Sequence, residues 1–227
     1  MKKIITLTVG CILTLATLHA QECLFFYPKT KGSVLEYKNY DKKNALTGIS
    51  RHKVIEIIQN PGMVTAVIEV EAFDKKEKTL GKNELTVKCQ DGIYYVDMKN
   101  YVSPETLAAY KDMDVKVETE NLQIPASIKP GDVLKDGSIT ITISNAGMKL
   151  MTLTTTISNR KVEAKEQVTT EAGTFDCYKI SSLITSKSIM TIKINSIEWY
   201  SKDNGMIKSE SYSDNKLVGS TVLSSIK

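Results

Sequence analysis

The stretch that decides the fold is SITITISNAGMKLMTLTTTI, at Ser138–Ile157. In its first half every second residue is isoleucine, with threonine and serine between, and its only charged residue is Lys149. β-Branched side chains suit a pleated surface, and a period of two indicates a strand with one buried face. The turn residues Asn145-Ala146-Gly147 in the middle predict a hairpin.

The same pattern of short alternating segments separated by turn residues extends through most of the chain. This cadence predicts an all-β protein built as an antiparallel meander of about ten strands. The turn signals are Asn60-Pro61-Gly62, Gln90-Asp91-Gly92, Lys135-Asp136-Gly137, Asn145-Ala146-Gly147, Glu171-Ala172-Gly173, Asp203-Asn204-Gly205 and Ser213-Asp214-Asn215.

One segment changes its alternation within a strand. Met190, Ile192 and Ile194 share one face, but Ile197 and Trp199 fall on the other by strict period two. A β-bulge near Asn195 or Ser196 restores the register, and bulges accompany strong curvature. We therefore predict a strongly curved sheet, a barrel or half-barrel. Trp199 is expected to anchor the core.

One passage has helical spacing. Ser103 is a suitable N-cap, Pro104 occupies the first helical position, and Leu107 and Tyr110 are three residues apart. We predict a short helix near residues 103 to 112 that covers one opening or edge of the sheet. No internal repeat or linker is evident, so residues 21–227 are predicted to form a single β-rich domain.

The first twenty residues have the pattern of a signal peptide. Lys2 and Lys3 precede an apolar run from Ile4 to Leu18, and Ala20 offers a cleavage site. Cleavage there leaves 207 residues, with 28 Lys and Arg against 26 acids. The predicted location is therefore the periplasm, the cell surface or the medium. Lipidation at Cys11 or Cys23 is the alternative, and the glutamate before Cys23 argues against that second site.

Charge and hydropathy exclude several partners. After residue 20 no run of about 18 uncharged apolar residues remains, so we expect no transmembrane segment in the mature chain. Charges of opposite sign are interspersed and no basic stripe with aromatic residues is present, so nucleic acid is not expected.

The chain lacks recognisable catalytic patterns, and we expect no enzyme activity, no cofactor and no metal site. His52 is the only histidine after the signal segment, and it is interpreted as a solvated residue in the charged middle of a strand. Acidic pairs such as Glu69 and Glu71, or Glu118 and Glu120, are interpreted as solvated faces. No glycine pattern typical of nucleotide sites or nucleophile elbows occurs.

Three cysteines remain after the signal segment: Cys23, Cys89 and Cys177. An oxidising compartment permits disulfides, and an odd count leaves at least one thiol. All three pairings stay open at this point, as does the alternative of three buried thiols.

Four stretches together resemble the TapB-like group of secreted proteins found in Bacteroides and its relatives, whose domain has no assigned activity. The resemblance covers essentially the whole mature chain and implies a β-rich envelope or secreted protein, without catalytic or ligand residues to transfer. The stretches are Glu22-Cys23 with Tyr27-Pro28 and Leu35-Glu36-Tyr37, Cys89 to Met98, Ala172 to Ile180, and Glu198-Trp199-Tyr200 with Gly205 to Glu210.

Two functions fit these features. The first is an exported non-catalytic envelope protein whose curved sheet is a structural or binding surface, with an unknown envelope protein as partner. The alternative is a periplasmic carrier of a lipid or other apolar ligand. In that case Met113, Met148, Met151 and Met190 are expected to line a cavity. The ligand-binding residues are not identified by the sequence.

Overall fold

The computed structural model describes residues 24–101, 110 and 112–227. These residues are almost entirely β-structure, which confirms the predicted class, although the strands number thirteen instead of about ten. A 3₁₀ turn spans Met98–Tyr101. The strands are β1 Val34–Asp41, β2 Leu46–Asn60, β3 Met63–Asp74, β4 Thr79–Gln90, β5 Ile93–Val96, β6 Asp114–Glu120, β7 Leu122–Pro125, β8 Gly137–Asn145, β9 Met148–Thr170, β10 Gly173–Lys187, β11 Thr191–Ser201, β12 Gly205–Ser213 and β13 Lys216–Ile226.

All thirteen strands belong to one antiparallel sheet in the order β6-β8-β9-β10-β11-β12-β13-β1-β2-β3-β4-β5-β7. The two edge strands, β6 and β7, are separated in the chain only by Asn121. A one-residue link between opposite edges requires the sheet to curl until the edges meet. The result is the nearly closed, barrel-shaped sheet that the sequence predicted.

Buried Arg160, on β9, ties this seam together. Its Nη1 donates hydrogen bonds to the carbonyl oxygen of Gln123, on β7, at 3.1 Å and to that of Lys135 at 2.6 Å. The side chain of Asn121 adds a further link, because its Oδ1 accepts a hydrogen bond from the backbone of Met98 at 3.1 Å.

Six of the seven predicted turns connect consecutive strands. Asp91-Gly92, Ala146-Gly147 and Asp214-Asn215 each have two successive residues with positive φ, as type I′ hairpins require. The seventh prediction, at Lys135-Asp136-Gly137, is wrong as a hairpin turn. Gly137 begins β8, and an added Cβ there would lie 2.5 Å from the Leu122 side chain. This glycine permits close packing at the seam.

Two hairpins that the turn signals missed explain part of the difference in strand number. Asp41 accepts hydrogen bonds from the backbone of Lys43 and Ala45, and Asp74 accepts the equivalent pair from Lys76 and Lys78. The turns begin Tyr-Asp-Lys-Lys and Phe-Asp-Lys-Lys. In both turns the aspartate side chain shapes the backbone.

The predicted bulge position is also wrong. Strand β11 pairs with β10 without a register shift, and its shift against β12 lies between Trp199 and Tyr200, four residues beyond the expected place. The prediction assumed that Met190 and Ile192 are buried, whereas their exposed fractions are 72% and 57%. With those two residues outside the core, the alternation needs no correction near Asn195.

The core of the described residues consists of three apolar clusters. The N-terminal cluster contains Phe25, Phe26, Val54, Ala66, Ile68, Val87, Cys89, Tyr94, Ile124, Ile128, Leu134, Val162 and Ile180. The tryptophan cluster contains Leu35, Tyr37, Cys177, Trp199, Ile207 and Leu223. The seam cluster contains Met98, Leu122, Ile139, Ile141, Ile143 and Ile157.

The predicted helix near residues 103 to 112 lies outside the described residues, apart from Tyr110 and Asp112. Within the described ranges, no helix has the length and apolar character to cross a bilayer.

Candidate ligand-binding cavity

A cavity of about 190 Å³ lies among the side chains of six strands, the 3₁₀ turn and the segment before β1. Five of its lining residues are tyrosines, and His52 and Glu198 add two titratable groups. The lining residues are Tyr27, Tyr37, His52, Leu85, Val87, Tyr94, Val96, Asn100, Tyr101, Glu198, Tyr200 and Met206.

His52 and Tyr27 form a hydrogen-bonded pair in the wall. The Tyr27 hydroxyl lies 2.9 Å from His52 Nδ1, and the two rings are stacked 6.2 Å apart. The Tyr37 ring contacts the imidazole from another side, at 4.7 Å. Burial lowers the pKa of His52 to about 4. The imidazole is therefore neutral at physiological pH, and the interpretation of His52 as a solvated residue is wrong.

The tyrosines of the cavity keep their protons. Burial raises the pKa of Tyr27, Tyr37, Tyr94 and Tyr200 above the usual range. Phe25 and Phe26 pack edge-on against Tyr94, with ring centroids 5.6 and 5.2 Å away, and hold it in place. The cavity therefore presents aromatic faces together with neutral hydroxyl groups.

Glu198 is the acid of the cavity, on β11 between Ile197 and Trp199. Its carboxylate accepts a hydrogen bond from the Tyr200 hydroxyl at 3.1 Å. Burial raises the pKa of Glu198, while the Tyr200 hydrogen bond and the positive charge of Arg160 act in the opposite direction. Arg160 thus links the seam of the barrel electrostatically to the cavity.

Asn100 provides a polar group available to a ligand. Its Nδ2 is buried, and none of the described residues accepts a hydrogen bond from it. A buried donor without a partner costs about 1–3 kcal/mol, and a ligand that accepts from it recovers that cost. The next residue, Tyr101, also lines the cavity and is 39% exposed, so the cavity reaches the protein surface there.

Larger hollows lie on the surface, but they lack this convergence of groups. One of about 480 Å³ is lined mainly by short polar side chains such as Ser181, Ser182 and Asn195. Another, of about 420 Å³, lies between the two aspartate-shaped hairpins. Among the residues that line these two hollows, Tyr212 is the one aromatic residue, and none is a histidine or a glutamate.

The three cysteines proposed as disulfide candidates have different environments. Cys177 is a free, buried thiol in the tryptophan cluster, and burial raises its pKa to about 11. Cys89 is disulfide-bonded, and its partner lies outside the described residues. Cys23 also lies outside them, so the Cys23–Cys89 pairing stays a prediction. The two pairings that involve Cys177 are wrong, because its thiol is free.

The methionines expected to line a carrier cavity do not do so. Met148 and Met190 are 70% and 72% exposed, and Met113 is 37% exposed. Met151 packs against the seam cluster. None of the four lines the described cavity, so the structure brings these side chains to other parts of the sheet.

The acidic pairs lie on the solvated faces that the sequence predicted. Lys82 Nζ lies 2.7 Å from Glu69 and 3.8 Å from Glu71, and Lys116 pairs with Glu118 at 2.8 Å. Among the described residues, no group of three or more His, Cys, Asp or Glu side chains is arranged to hold a metal ion.

The cavity residues Tyr27, Asn100 and Glu198, and Arg160 beside them, were not predicted as site residues from the sequence. One signal was present: Glu198 interrupts the bulky run Ile197-Glu198-Trp199-Tyr200, where an acid is unexpected unless it is paired. Asn100 and Tyr27 gave no signal, because their convergence depends on segments that are distant in the chain.

A search of curated proteins gives no match. Two solved structures are similar over most of the chain. One is described as an exported protein with a YmcC-like fold from Bacteroides fragilis, with 26% identity, a TM-score of 0.73, and coverage of 90% of this chain and 100% of that one. The other, described as a lipoprotein from Parabacteroides distasonis, has 26% identity, a TM-score of 0.74, and coverage of 91% and 100%.

The family model described as DUF3108-like matches residues 30–223. The chain therefore belongs to the DUF3108-like family. The narrower resemblance to the TapB-like group has no support in these comparisons beyond the shared description of an exported protein.

Proposed function

We propose that this member of the DUF3108-like family is an exported, non-catalytic binding protein that holds a small uncharged ring compound with hydroxyl groups in the tyrosine-lined cavity. The observation that carries the proposal is the unpartnered Nδ2 of Asn100 beside five tyrosines in one cavity. Export is supported by the signal-peptide pattern and by the descriptions of the two similar structures.

The ligand class follows from the chemistry of the walls. Tyrosine rings offer flat apolar faces, and their hydroxyls, the Asn100 amide and Glu198 offer hydrogen bonds at the edges. His52 is neutral, and the Glu198 carboxylate lies within the field of Arg160, so no isolated charge selects an ion. A sugar ring or a hydroxylated aromatic ring fits these requirements.

The size of the cavity disfavours the alternative of an acyl carrier. Pockets for ligands of drug size measure about 300–1,000 Å³. The volume here is about 190 Å³, and Asn100 and Glu198 are among its lining residues. A long acyl chain would leave the Nδ2 of Asn100 without a hydrogen-bond acceptor in apolar surroundings.

Absence of catalysis is part of the proposal. His52 is oriented by Tyr27, and neither group is adjacent to a described nucleophile with a lowered pKa. The tyrosine hydroxyls have raised pKa values, which disfavours them as bases.

The test is ligand-observed NMR of the exported chain against a panel of monosaccharides and phenols. We expect Asn100→Leu and Tyr27→Phe to weaken binding of the best panel member by at least about tenfold, since each loses a hydrogen bond to the ligand or its wall. Tyr212→Phe is the matched control, because its hydroxyl bonds Glu210 at 2.6 Å and lies outside the cavity lining.

Three results would contradict the proposal: no panel member binds and nothing co-purifies, the cavity variants bind like the wild type, or the protein turns over a panel compound. A fatty acid that co-purifies and is lost in Asn100→Leu would establish the carrier alternative instead.

A further inference from the structure

Two neighbouring hairpins carry a concentration of exposed apolar side chains far from the cavity. Five of the twelve large apolar side chains exposed in the described residues lie on them. These five define the apolar tip: Met148 at 70% exposed, Leu150 at 54%, Ile189 at 95%, Met190 at 72% and Ile192 at 57%.

The tip projects because one hairpin is longer than its neighbour. Strand β10 ends at Lys187, opposite Thr154 of β9, and β9 continues from there to Met148. Six further residues extend the β8–β9 hairpin by roughly 20 Å along the strand. The β10–β11 turn, at Ser188–Met190, lies beside the base of this extension.

Positive charges accompany the apolar tip. Lys149, Lys187 and Lys193 lie on the same two hairpins and are exposed. Neither Ser138–Ile157 nor Ser181–Ser196 contains an acidic residue. Acids flank the two hairpins on the neighbouring strands. Asp114 of β6 pairs with Ser144 of β8, and Asp214 follows β12, which pairs with β11 through Tyr212 and Asn195.

We propose that the apolar tip docks on an anionic lipid bilayer, with its apolar side chains in the interfacial region and its lysines against the lipid headgroups. Exposed apolar side chains with surrounding lysines are the two elements of interfacial membrane binding. Lysine stems extend along apolar surface while the ammonium groups remain with the headgroups. A negative lipid surface complements hairpins that carry lysines and no acids.

The shape of the tip favours a bilayer over a protein groove. The apolar residues come from the ends of two hairpins and include Met148, Lys149 and Leu150 in succession, all exposed. Both faces of that strand end are therefore solvated, as expected for a segment that inserts between headgroups.

The experiment uses sedimentation of the exported chain with vesicles of equal parts phosphatidylglycerol and phosphatidylcholine, and with vesicles of phosphatidylcholine alone. We expect binding to the anionic vesicles that decreases in high salt. Leu150→Asp with Met190→Asp should abolish it, and Lys149→Glu should weaken it at least about fivefold. Leu80→Asp is the control, because Leu80 is 67% exposed on another hairpin.

A fluorescence measurement separates tip insertion from any other attachment to vesicles. Trp199 is the only tryptophan of the chain and is 6% exposed, so its emission should not respond to lipid. Ile189→Trp should give a blue shift with anionic vesicles, and Leu80→Trp should give none. Absence of the shift, equal binding to both vesicle types, or a dimer that the tip variants dissolve would overturn the proposal.

Discussion

The tryptophan cluster and the tyrosine-lined cavity differ in how closely the aromatic side chains of one sheet are packed. Around Trp199 the apolar neighbours are packed without a described cavity, and its indole N–H donates to Glu166 at 2.7 Å. Around Tyr94 and Tyr200 the side chains leave about 190 Å³ between them. Tyr37 belongs to both regions. Close packing stabilises the fold, whereas retained space with unpaired polar groups is typical of binding.

The largest loss of stability is expected from a substitution in the tryptophan cluster. Trp199→Ala should lower the free energy of unfolding by about 3–5 kcal/mol, through lost transfer energy and the cavity it leaves. Lys179 and Lys208 also lie over the indole ring, at 5.2 and 4.9 Å. Thermal and denaturant unfolding measure the loss. If the variant were as stable as the wild type but had lost its ligand, Trp199 would belong to the binding site, and the tryptophan cluster and the cavity would not be separate regions.

The second effect concerns the disulfide on the cavity side. Cys89 belongs to the N-terminal cluster with Phe25 and Phe26. Cys23 lies two residues before Phe25 in the chain, so we expect it to be the disulfide partner of Cys89. Cys89→Ser should cost about 2–4 kcal/mol, because the cross-link restricts the unfolded chain. Peptide mapping without reductant should identify Cys23–Cys89, and Cys177→Ala should leave that map unchanged. A bond to any other cysteine contradicts the prediction.

The third effect concerns the seam that closes the barrel beside the cavity. Arg160→Met keeps most of the side-chain volume but leaves the carbonyls of Gln123 and Lys135 without this donor. We expect a loss of about 2–3 kcal/mol in the free energy of unfolding and faster hydrogen exchange in β7. Lys161→Met, at the next, exposed position, is the control. Equal stability of both variants would show that the seam does not depend on Arg160.

The last effect is a pH dependence from His52, which is absent at neutral pH and develops only as the solution is acidified. Its pKa is about 4 when folded and 6.5 when unfolded, so the unfolded chain binds the extra proton first as the pH falls. Stability should be complete above pH 6.5 and decrease by up to about 1.4 kcal/mol per pH unit towards pH 4.

Glu198 acts with the opposite sign, because its pKa is raised by folding. The His52 contribution is therefore the difference between the wild-type stability profile and that of His52→Gln, measured by chemical unfolding from pH 4 to 8. Parallel profiles would mean that the imidazole is solvated, and the His52–Tyr27 pair would then not belong to a closed cavity wall.

The sequence by itself determined the strand class and most of the turns. Alternation in Ser138–Ile157 and glycine or asparagine at positive φ are local properties, because they depend on side-chain period and backbone sterics. Burial of Trp199 was also predictable, since a single large aromatic residue in an alternating strand has few other favourable places. The aspartate-shaped hairpins were missed because a Lys-Lys pair is not a typical turn signal.

Only the tertiary structure decided the barrel closure, the cavity and the apolar tip. Asn121 brings together two edges that no local pattern pairs, and Tyr27, Asn100 and Glu198 converge from distant segments. Met190 and Ile192 have strand periodicity but lie at the end of a hairpin, where none of the described elements covers them. Periodicity fixes which residues share a face, whereas burial of that face depends on contacts made by chain segments far apart in sequence.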